Sequence, residues 1–322
     1  MKKTVGENLK LARMKANLSM AEAGKRLNMS APAILKYERN KIIASLPRLE
    51  AFAGVYQTTI EEILSVEEKI DIKFTNFKCR NKTSDIRKEK IRNILSKKID
   101  NYFDIVKLSE VTMQNKFGVH LITTPAEAES LATKLRIFFT IPIANPISNL
   151  VYLLENQGMM ILTIPKDDIT KDFIGFYEII NNVPVIAVLE AENGYEQRYT
   201  IAKYLGELLI VNDYQKDALT TEFALSLLIP RQAIQNEFDN KRVRINFREI
   251  EIFSNNYKVS YKNVVRRLKE YKVITPSNAK YLNIHINKNN ITETTYYEKA
   301  NNYDKLLAKL TAKDLLKKDR IY

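Results

Sequence analysis

The sequence predicts a multidomain, mostly helical α+β protein that begins with a bundle of five short helices. The chain has 322 residues, more than most single hydrophobic cores contain. Only 8 glycines and 9 prolines occur, which argues against a fold built from tight β-turns. Helix-capping residues are frequent near the N-terminus, whereas the apolar runs typical of strands fall in the middle of the chain.

Charge is distributed unevenly along the chain. The first 66 residues contain 11 basic and 6 acidic residues, residues 131–230 contain 7 and 12, and residues 231–322 contain 20 and 10. Two basic ends therefore flank an acidic middle. Basic surfaces attract the phosphates of nucleic acids, although Lys-rich segments can also serve solubility alone.

The cysteine count and the hydropathy pattern indicate a protein of the cytoplasm. Cys79 is the only cysteine, so an internal disulfide is excluded and a reducing compartment is favoured. No apolar run approaches the roughly 18 residues that a membrane-spanning helix needs. The N-terminal sequence MKKTVGENLK has no hydrophobic signal segment, so we expect neither export nor a membrane partner.

The first 64 residues contain the signals of five helices. Ser19 with Glu22 forms a capping box, and Ser30 precedes a helix that has Pro32 in its first turn. Apolar residues recur at helical spacing throughout this part of the chain. The predicted helices span residues 4–16, 20–27, 31–40, 46–54 and 59–64.

The stretches GENLKLARMKANLSMAEAGKRLNMSAPAILKYERNK and SLPRLEAFAGVYQTTIEEIL resemble the XRE/Cro-type helix-turn-helix domain. The resemblance implies that the helix beginning after Ser30 enters the major groove of double-stranded DNA. It also implies a dimer, because most such domains read two half-sites. The positions on or beside the DNA are then Ser19, Met20, Ser30, Ala31, Pro32, Ala33, Leu35, Lys36 and Arg39.

The recognition helix departs from what direct base readout requires. Ala31, Pro32 and Leu35 have no side-chain donors or acceptors, and Met20 stands where the family usually has Gln. Lys36 and Arg39 would mostly contact phosphates. Two interpretations stay open: DNA binding with modest direct specificity, aided by DNA shape and dimerisation, or a domain that has drifted towards contact with a protein.

The middle of the chain predicts an α+β region. Its helices are expected at 83–111, with an apolar stripe that forms core or a dimer seam, and at 124–139, 145–157 and 196–211. Residues 70–82 indicate a strand or an extended linker. A further strand follows Gly158, and two strands flank a turn at Asn181–Asn182.

The order of these elements resembles the ImmA/IrrE-type zinc peptidases, and in particular regulators that join an XRE domain to such a zincin-like domain. NPISNLVYLLENQGMMIL, DFIGFYEIINNVPVIAVL, QRYTIAKYLGELLIV and FALSLLIPRQAI carry the resemblance. The family's HExxH motif places two His one helical turn apart around a zinc ion. Those positions, with the position of a further acidic ligand, are here Lys203, Tyr204, Glu207 and Leu219.

The ligand set is therefore missing, so we expect no catalytic residues, no metal and no cofactor. The chain's two His residues, His120 and His285, lie outside this helix. We hypothesise that Lys203 and Glu207, an i,i+4 pair, form an ion pair at the vacated site, capped by the Tyr204 hydroxyl. The alternative is that both side chains are exposed and point apart.

The C-terminal region predicts further helices in a basic context. FREIEIFSNN and VSYKNVVRRLKEY indicate two helices, the second capped by Ser260, with the outline of a helix-turn-helix or a small winged element. Arg266, Arg267 and Lys269 are expected on its outer face, and the element either supports the core or makes a second DNA contact. Residues 281–301 are predicted to be weakly ordered or strand-like, and 301–322 to form a Lys-rich helix.

Together these patterns predict four segments: a helix-turn-helix domain at 1–66, a connector and possible dimer element at 67–123, a degenerate peptidase-like domain at 124–232 and a basic helical region at 233–322. The favoured function is a DNA-binding transcriptional regulator whose inactive peptidase-like domain is a sensor or partner-binding module. The alternative is an antitoxin-like or phage-related protein that binds a partner protein. The expected partners are double-stranded DNA, a second copy of the chain, and a protein or small-molecule effector at the degenerate site.

Overall fold

The computed structural model describes residues 4–64, 70, 72–109, 111–190, 194–238, 241–242, 244–289, 291–293, 296–300 and 302–312. The chain forms two compact units. Unit 1 comprises Met1–Lys73, Arg92–Thr112 and Asn301–Tyr322, and unit 2 comprises Phe74–Ile91 and Met113–Ala300. No helix in the described ranges is long and apolar enough to cross a membrane.

Helices dominate both units. Those up to the long helix are α1 Val5–Lys15, α2 Met20–Arg26, α3 Ala31–Glu38, α4 Leu46–Tyr56, α5 Ile60–Leu64 and α6 Asp85–Ser109. Those that follow are α7 Pro125–Phe138, α8 Leu150–Asn156, α9 Gly194–Leu209, α10 Lys216–Leu228, α11 Arg231–Phe238, α12 Phe247–Tyr257, α13 Tyr261–Glu270, α14 Pro276–Lys288 and α15 Asn302–Ala312. The strands are β1 Phe77–Cys79, β2 His120–Leu121, β3 Met160–Ile164, β4 Phe173–Ile180, β5 Val183–Leu189 and β6 Ile210–Val211.

The five predicted N-terminal helices are confirmed as α1–α5 in unit 1. Ser19 caps α2 with the reciprocal Glu22 contact of a capping box, and Ser30 caps α3 by accepting the Ala33 amide at 3.3 Å. The helices enclose an apolar core that includes Leu9, Ala23, Leu27, Ile34, Leu49, Phe52 and Ile63. Local capping and a shared apolar interior therefore both specify this bundle.

The apolar stripe of α6 is buried within the chain itself. In unit 1, Ile105 packs with Met14 of α1 and Leu310 of α15, and the rings of Tyr102 and Tyr303 lie 5.4 Å apart. These residues of the stripe therefore contribute to core packing, and the dimer seam stays a prediction. The predicted terminal helix begins as expected at Asn302, and its residues 313–322 lie outside the described part of the chain.

A mixed four-stranded sheet organises unit 2 in the order β1-β4-β5-β3. β4 and β5 form an antiparallel hairpin, β1 pairs antiparallel with β4, and β3 pairs parallel with β5. The predicted turn is confirmed, because Asn181 and Asn182 both have left-handed φ angles of 49° and 61°. The predicted extended segment at 70–82 contributes only the short β1 to the sheet.

Helix α9 lies in the centre of unit 2 with its apolar residues buried. Ile201, Ala202 and Leu205 are fully buried in a core that also includes residues of the sheet, α7, α10 and α12–α14. The apolar side of the helix is therefore part of the core of unit 2. The prediction for 281–301 is partly wrong, because residues 281–288 complete α14, whose apolar face buries Leu282 and Ile286.

A buried ion pair joins the end of unit 2 to its interior. The guanidinium of Arg198 on α9 pairs with the carboxylate of Glu298, and both side chains are at most 4% exposed. The same carboxylate accepts the amides of Leu150 and Val151, at 3.0 and 3.1 Å, in the first turn of α8. Glu298 therefore neutralises a buried cation and caps a helix at the same time.

We expect Glu298→Gln to destabilise unit 2 by about 3–5 kcal/mol, because it leaves the buried Arg198 cation without its counter-charge. Hydrogen exchange of the amides in β3–β5 and α8 measures this loss within unit 2. The matched control is Glu237→Gln, which removes the charge of an exposed carboxylate on α11 and should change the protection by less than about 0.5 kcal/mol. Equal protection in the two variants would contradict the role given to Glu298.

Candidate nucleic-acid interface and the Glu207 cluster

Helix α3 presents one side to solvent and buries the other. Ser30, Pro32, Lys36 and Arg39 are exposed, whereas Ile34 is completely buried in the core of the bundle. The other predicted contact positions on this helix are half-buried: Ala31, Ala33 and Leu35. The exposed side of α3 therefore carries two cations and a hydroxyl beside small apolar groups.

The turn between α2 and α3 requires specific backbone conformations. Asn28 adopts a left-handed φ of 50°, and the Met29 amide donates to the Gly24 carbonyl at 2.8 Å. A Cβ at position 24 would lie 2.4 Å from the Met29 oxygen, so only glycine fits there. Ser19 caps α2, and Met20 is half-buried against the bundle core, where its side chain packs.

A buried ion pair, which the sequence analysis missed, fixes the end of α3. Arg13 of α1 donates to Glu38 of α3 at 2.6 and 3.2 Å and to the Leu18 carbonyl at 2.7 Å. Both charged side chains are only 3% exposed, so they compensate each other's lost hydration. Because the partners lie far apart in sequence, no local pattern indicated the pair.

The residue that follows α3 connects it back to the start of α1. Asn40 accepts the Gly6 amide at 2.8 Å and donates to the Thr4 hydroxyl at 2.7 Å. A Cβ at Gly6 would lie 2.5 Å from the Tyr37 carbonyl oxygen. The YERNK motif therefore has a structural function in this bundle through Glu38 and Asn40, in addition to the exposed cation of Arg39.

In unit 2, Glu207 of α9 lies at the centre of a compact polar cluster, which we call the Glu207 cluster. Its carboxylate accepts the Tyr177 hydroxyl at 3.1 Å and the Thr220 hydroxyl at 3.5 Å. The ammonium groups of Lys78 and Lys216 lie 3.5 and 3.6 Å from its oxygens. Two partly exposed cations and two hydroxyls therefore compensate this buried carboxylate.

The hypothesis of a Lys203–Glu207 ion pair is wrong. Lys203 instead binds Asp217 of α10 at 2.7 Å, and this hydrogen bond lowers the pKa of Asp217. Glu207 faces the sheet and α10, where hydroxyl donors replace its hydration. The exposed Asp217 carboxylate pairs with Lys203 without the desolvation cost of a buried partner.

Tyr204 does not cap the cluster as predicted, because Tyr177 supplies the hydroxyl. The two rings lie 5.0 Å apart, and the Lys78 ammonium is 5.1 Å from the Tyr177 centroid and 5.4 Å from the Tyr204 centroid. Burial raises the pKa of the Tyr177 hydroxyl, and the charge of Glu207 raises it further. Tyr177 therefore remains a protonated donor at neutral pH.

The side chains around α9 do not fit a zinc ion. Leu219, at the position of the further acidic ligand, is 1% exposed in the apolar core. Lys78 and Lys216 lie beside the Glu207 carboxylate and Lys203 pairs with Asp217, and ammonium groups cannot donate a lone pair to a metal. Within the described ranges, no group of three or more His, Cys, Asp or Glu side chains could hold a metal ion.

The predicted outer basic surface of α13 needs one correction. Arg266 and Lys269 are exposed, but Arg267 is only 1% exposed and binds Glu222 at 2.7 Å and Ser226 at 2.8 Å. Its guanidinium also lies 4.4 Å from the centroid of the Tyr271 ring. Arg267 follows Val264 by three residues and so points inward, where carboxylates compensate its charge.

We expect Gly175→Ala in β4 to destabilise unit 2 by roughly 1–3 kcal/mol, because the added Cβ would lie 2.3 Å from the Tyr204 ring. Hydrogen exchange of the β4–β5 amides measures the effect. In a Tyr204→Ala background the same change should cost much less, since the clash is gone. Gly54→Ala in α4 is the control, because no atom lies within 4 Å of the added Cβ. It should leave the stability of unit 1 unchanged or raise it slightly. Equal costs of Gly175→Ala in both backgrounds would contradict the clash.

Comparison with known families identifies the N-terminal bundle. A helix-turn-helix family model matches residues 9–63, which span the chain from within α1 to α5. No curated protein matches the chain. The matched range contains the Gly24 turn, the Arg13–Glu38 pair and the exposed side of α3. Residues 9–63 therefore form an XRE-type helix-turn-helix domain, and the presence of this domain supports a function in DNA-binding regulation.

Proposed function

We propose that this chain is a DNA-binding transcriptional regulator of the cytoplasm, which binds double-stranded DNA by placing α3 in the major groove. The observation that carries the proposal is the exposed side of α3 in a bundle that matches the helix-turn-helix family. In this arrangement Lys36 and Arg39 reach phosphates, and the Ser30 end of the helix approaches the base edges.

The residues on α3 indicate how sequence specificity would arise. Ala31, Pro32, Ala33 and Leu35 offer methyl and methylene groups, which distinguish thymine methyls and little else. Specificity would then depend on DNA shape and on the spacing of two half-sites. We therefore include homodimerisation in the proposal.

We further propose that unit 2 is a degenerate ImmA/IrrE-type peptidase domain without catalytic activity. The support is the donor set of α9: Lys203 and Tyr204 cannot replace His and Glu, and Glu207 is already compensated by Lys78 and Lys216. Neither the ligands nor the general base of a metallopeptidase is present at these positions. A domain that keeps the packing of α9 but lacks the zinc ligands would serve as a sensor or a partner-binding module.

An effector at the Glu207 cluster would act through differential binding. A ligand changes the DNA affinity of the chain only if it binds one conformation better than another. The partly exposed Lys78 and Lys216 are the accessible charged groups of the cluster, so an effector with a negative charge would compete with Glu207 for them.

A second candidate function is supported by an apolar surface beside the recognition helix. Ile42 and Ile43, which follow α3, are 41% and 94% exposed, and Leu46 at the start of α4 is 59% exposed. Exposed large apolar groups in sequence proximity mark protein-binding surfaces more often than DNA-binding ones. In this alternative the N-terminal domain binds a partner protein, as an antitoxin-like protein would.

We expect Lys36→Ala/Arg39→Ala to weaken binding to duplex DNA. The slope of log K against log salt should become less steep by about 1–2, because each lost phosphate contact reduces the magnitude of that slope by about 0.9. Fluorescence anisotropy with a fragment of the protein's own promoter at several salt concentrations measures both effects. The control is Lys97→Ala/Lys98→Ala, which removes two exposed cations from α6 of the same unit.

If the wild-type chain binds no duplex at low salt, the DNA-binding proposal fails and the partner-protein alternative gains support. That alternative predicts that Ile43→Ser/Leu46→Ser abolishes capture of a partner protein. A DNA affinity that falls equally in the α3 variant and the α6 control would likewise argue against α3 as the binding helix.

We expect the purified chain to contain no stoichiometric zinc, because Lys203, Tyr204 and Leu219 supply no ligand for it. Elemental analysis by mass spectrometry after dialysis against zinc-containing buffer provides the measurement. Lys203→His/Glu207→His is the comparison variant, since two imidazoles one turn apart should raise the zinc affinity. One zinc ion per wild-type chain would refute the proposal of a degenerate site.

A further inference from the structure

Three helices of unit 2 repeat the arrangement of three helices of unit 1. The helices α12, α13 and α14 follow one another as α2, α3 and α4 do, although the first helix is longer, with 11 residues in α12 and 7 in α2. The N-cap residues of the second and third helices are Ser30 and Ser45 in unit 1, and Ser260 and Thr275 in unit 2, at an identical separation. Ser30 and Ser260 each accept the amide three residues on at 3.3 Å.

The turn before the second helix has the same backbone geometry in both sets. Asn28 and Lys258 occupy the same place in the turn and have left-handed φ angles of 50° and 55°. In both turns the next amide donates to the carbonyl five residues earlier: Met29 to Gly24 at 2.8 Å, and Val259 to Ser254 at 3.2 Å. At the place of Gly24, unit 2 has Ser254, whose hydroxyl donates to the Val259 carbonyl.

The buried positions of the two sets also correspond. At matching places the side chains that face the interior are Ala23, Leu27 and Ile34 in unit 1, and Phe253, Tyr257 and Val264 in unit 2. The correspondence extends to the third helices, with Leu49, Phe52 and Tyr56 in α4, and Ala279, Leu282 and Ile286 in α14. The serine caps of α3 and α13, the turns before them and the buried positions therefore agree between the two sets. The helices α12–α14 thus form a second helix-turn-helix, in which α13 has the place of α3.

The exposed side of α13 carries one more cation than that of α3 and an amide that α3 lacks. At the places of Pro32, Lys36 and Arg39 it carries Lys262, Arg266 and Lys269, all exposed. Asn263, half-buried, stands at the place of Ala33 and has both a donor and an acceptor. Lys and Arg neutralise phosphates and bind guanine edges, and Asn binds adenine, so this helix can both attach to DNA and read it.

We propose that α13 is a second DNA-binding helix, which contacts double-stranded DNA through Lys262, Arg266 and Lys269. The inference goes beyond the function proposed above, in which α3 alone binds DNA and unit 2 senses an effector. It assigns the basic surface of the C-terminal region to a nucleic-acid ligand.

Acidic groups near this surface determine which groups of α13 can contact DNA. Glu270 pairs with Arg266 at 2.7 Å, but both side chains are accessible to solvent, so a phosphate can replace the carboxylate. Glu293 accepts the Tyr261 amide at 2.9 Å at the start of α13. The helix N-terminus is therefore occupied, and the contact with DNA depends on the basic side chains.

The test measures binding of the full chain to duplex DNA by anisotropy over a range of salt concentrations. Lys262→Ala/Arg266→Ala should weaken binding and lower the slope of log K against log salt by about 1–2. Lys116→Ala/Lys134→Ala, which removes two exposed lysines from elsewhere in unit 2, is the matched control. Lys262→Arg/Arg266→Lys keeps both charges and should bind with the wild-type salt slope, which separates charge loss from misfolding.

The same changes made in the Lys36→Ala/Arg39→Ala background separate the two proposals. If α13 binds DNA, residual binding persists in that background and disappears when Lys262 and Arg266 are also replaced. If Lys36→Ala/Arg39→Ala binds DNA as the wild type does, the proposed role of α3 fails, but the inference about α13 is not affected. An α13 variant with the affinity and slope of its control in both backgrounds would overturn the inference.

Glu293→Gln supplies a test of opposite sign. Glutamine keeps an acceptor for the Tyr261 amide but removes a negative charge from the end of α13. If DNA lies against this helix, the variant should bind severalfold more tightly than the wild type at low salt, and the difference should shrink as salt rises. Unchanged or weaker binding would place the DNA elsewhere.

Discussion

The close approach of α9 to both the sheet and α10 is the constraint on which unit 2 depends. Two glycines permit it: a Cβ at Gly175 of β4 would collide with the Tyr204 ring, and a Cβ at Gly206 would lie 2.8 Å from Phe223 of α10. Because these contacts leave no space for even one added carbon, the Tyr204 ring has little room to rearrange. The helix therefore acts as a scaffold, and its polar residues are held in the positions that the packing leaves.

Both units bury ion pairs whose partners compensate each other's charge. Arg13 with Glu38, Arg198 with Glu298, and Arg267 with Glu222 join elements that are distant in sequence. Such pairs contribute little net stability over apolar residues, yet the loss of one partner is costly. They therefore specify which elements meet. The Glu207 cluster follows the same rule, with hydroxyls and partly exposed lysines in place of an arginine.

The same helix-turn-helix geometry occurs in two different settings within one chain. In unit 1 the bundle is small and its turn relies on Gly24, whereas α12–α14 share the large core of unit 2 and tolerate Ser254 at the equivalent place. The two recognition-like helices also differ in surface chemistry: α3 exposes two cations beside apolar groups, whereas α13 exposes three cations. Fold and surface are thus separable here, because the turn and core determine the geometry while exposed side chains determine the ligand.

The sequence by itself determined the five N-terminal helices, the caps Ser19, Ser30 and Ser260, the Asn181–Asn182 turn and the absence of zinc ligands at Lys203 and Tyr204. These features are local: a capping box or a left-handed turn depends on residues within a few positions of one another. Only the tertiary structure decided that Arg267 is buried, that Lys203 pairs with Asp217, and that residues 281–288 continue α14. Those outcomes depend on side chains brought from distant elements and on the cost of burying charge, which no sequence spacing encodes.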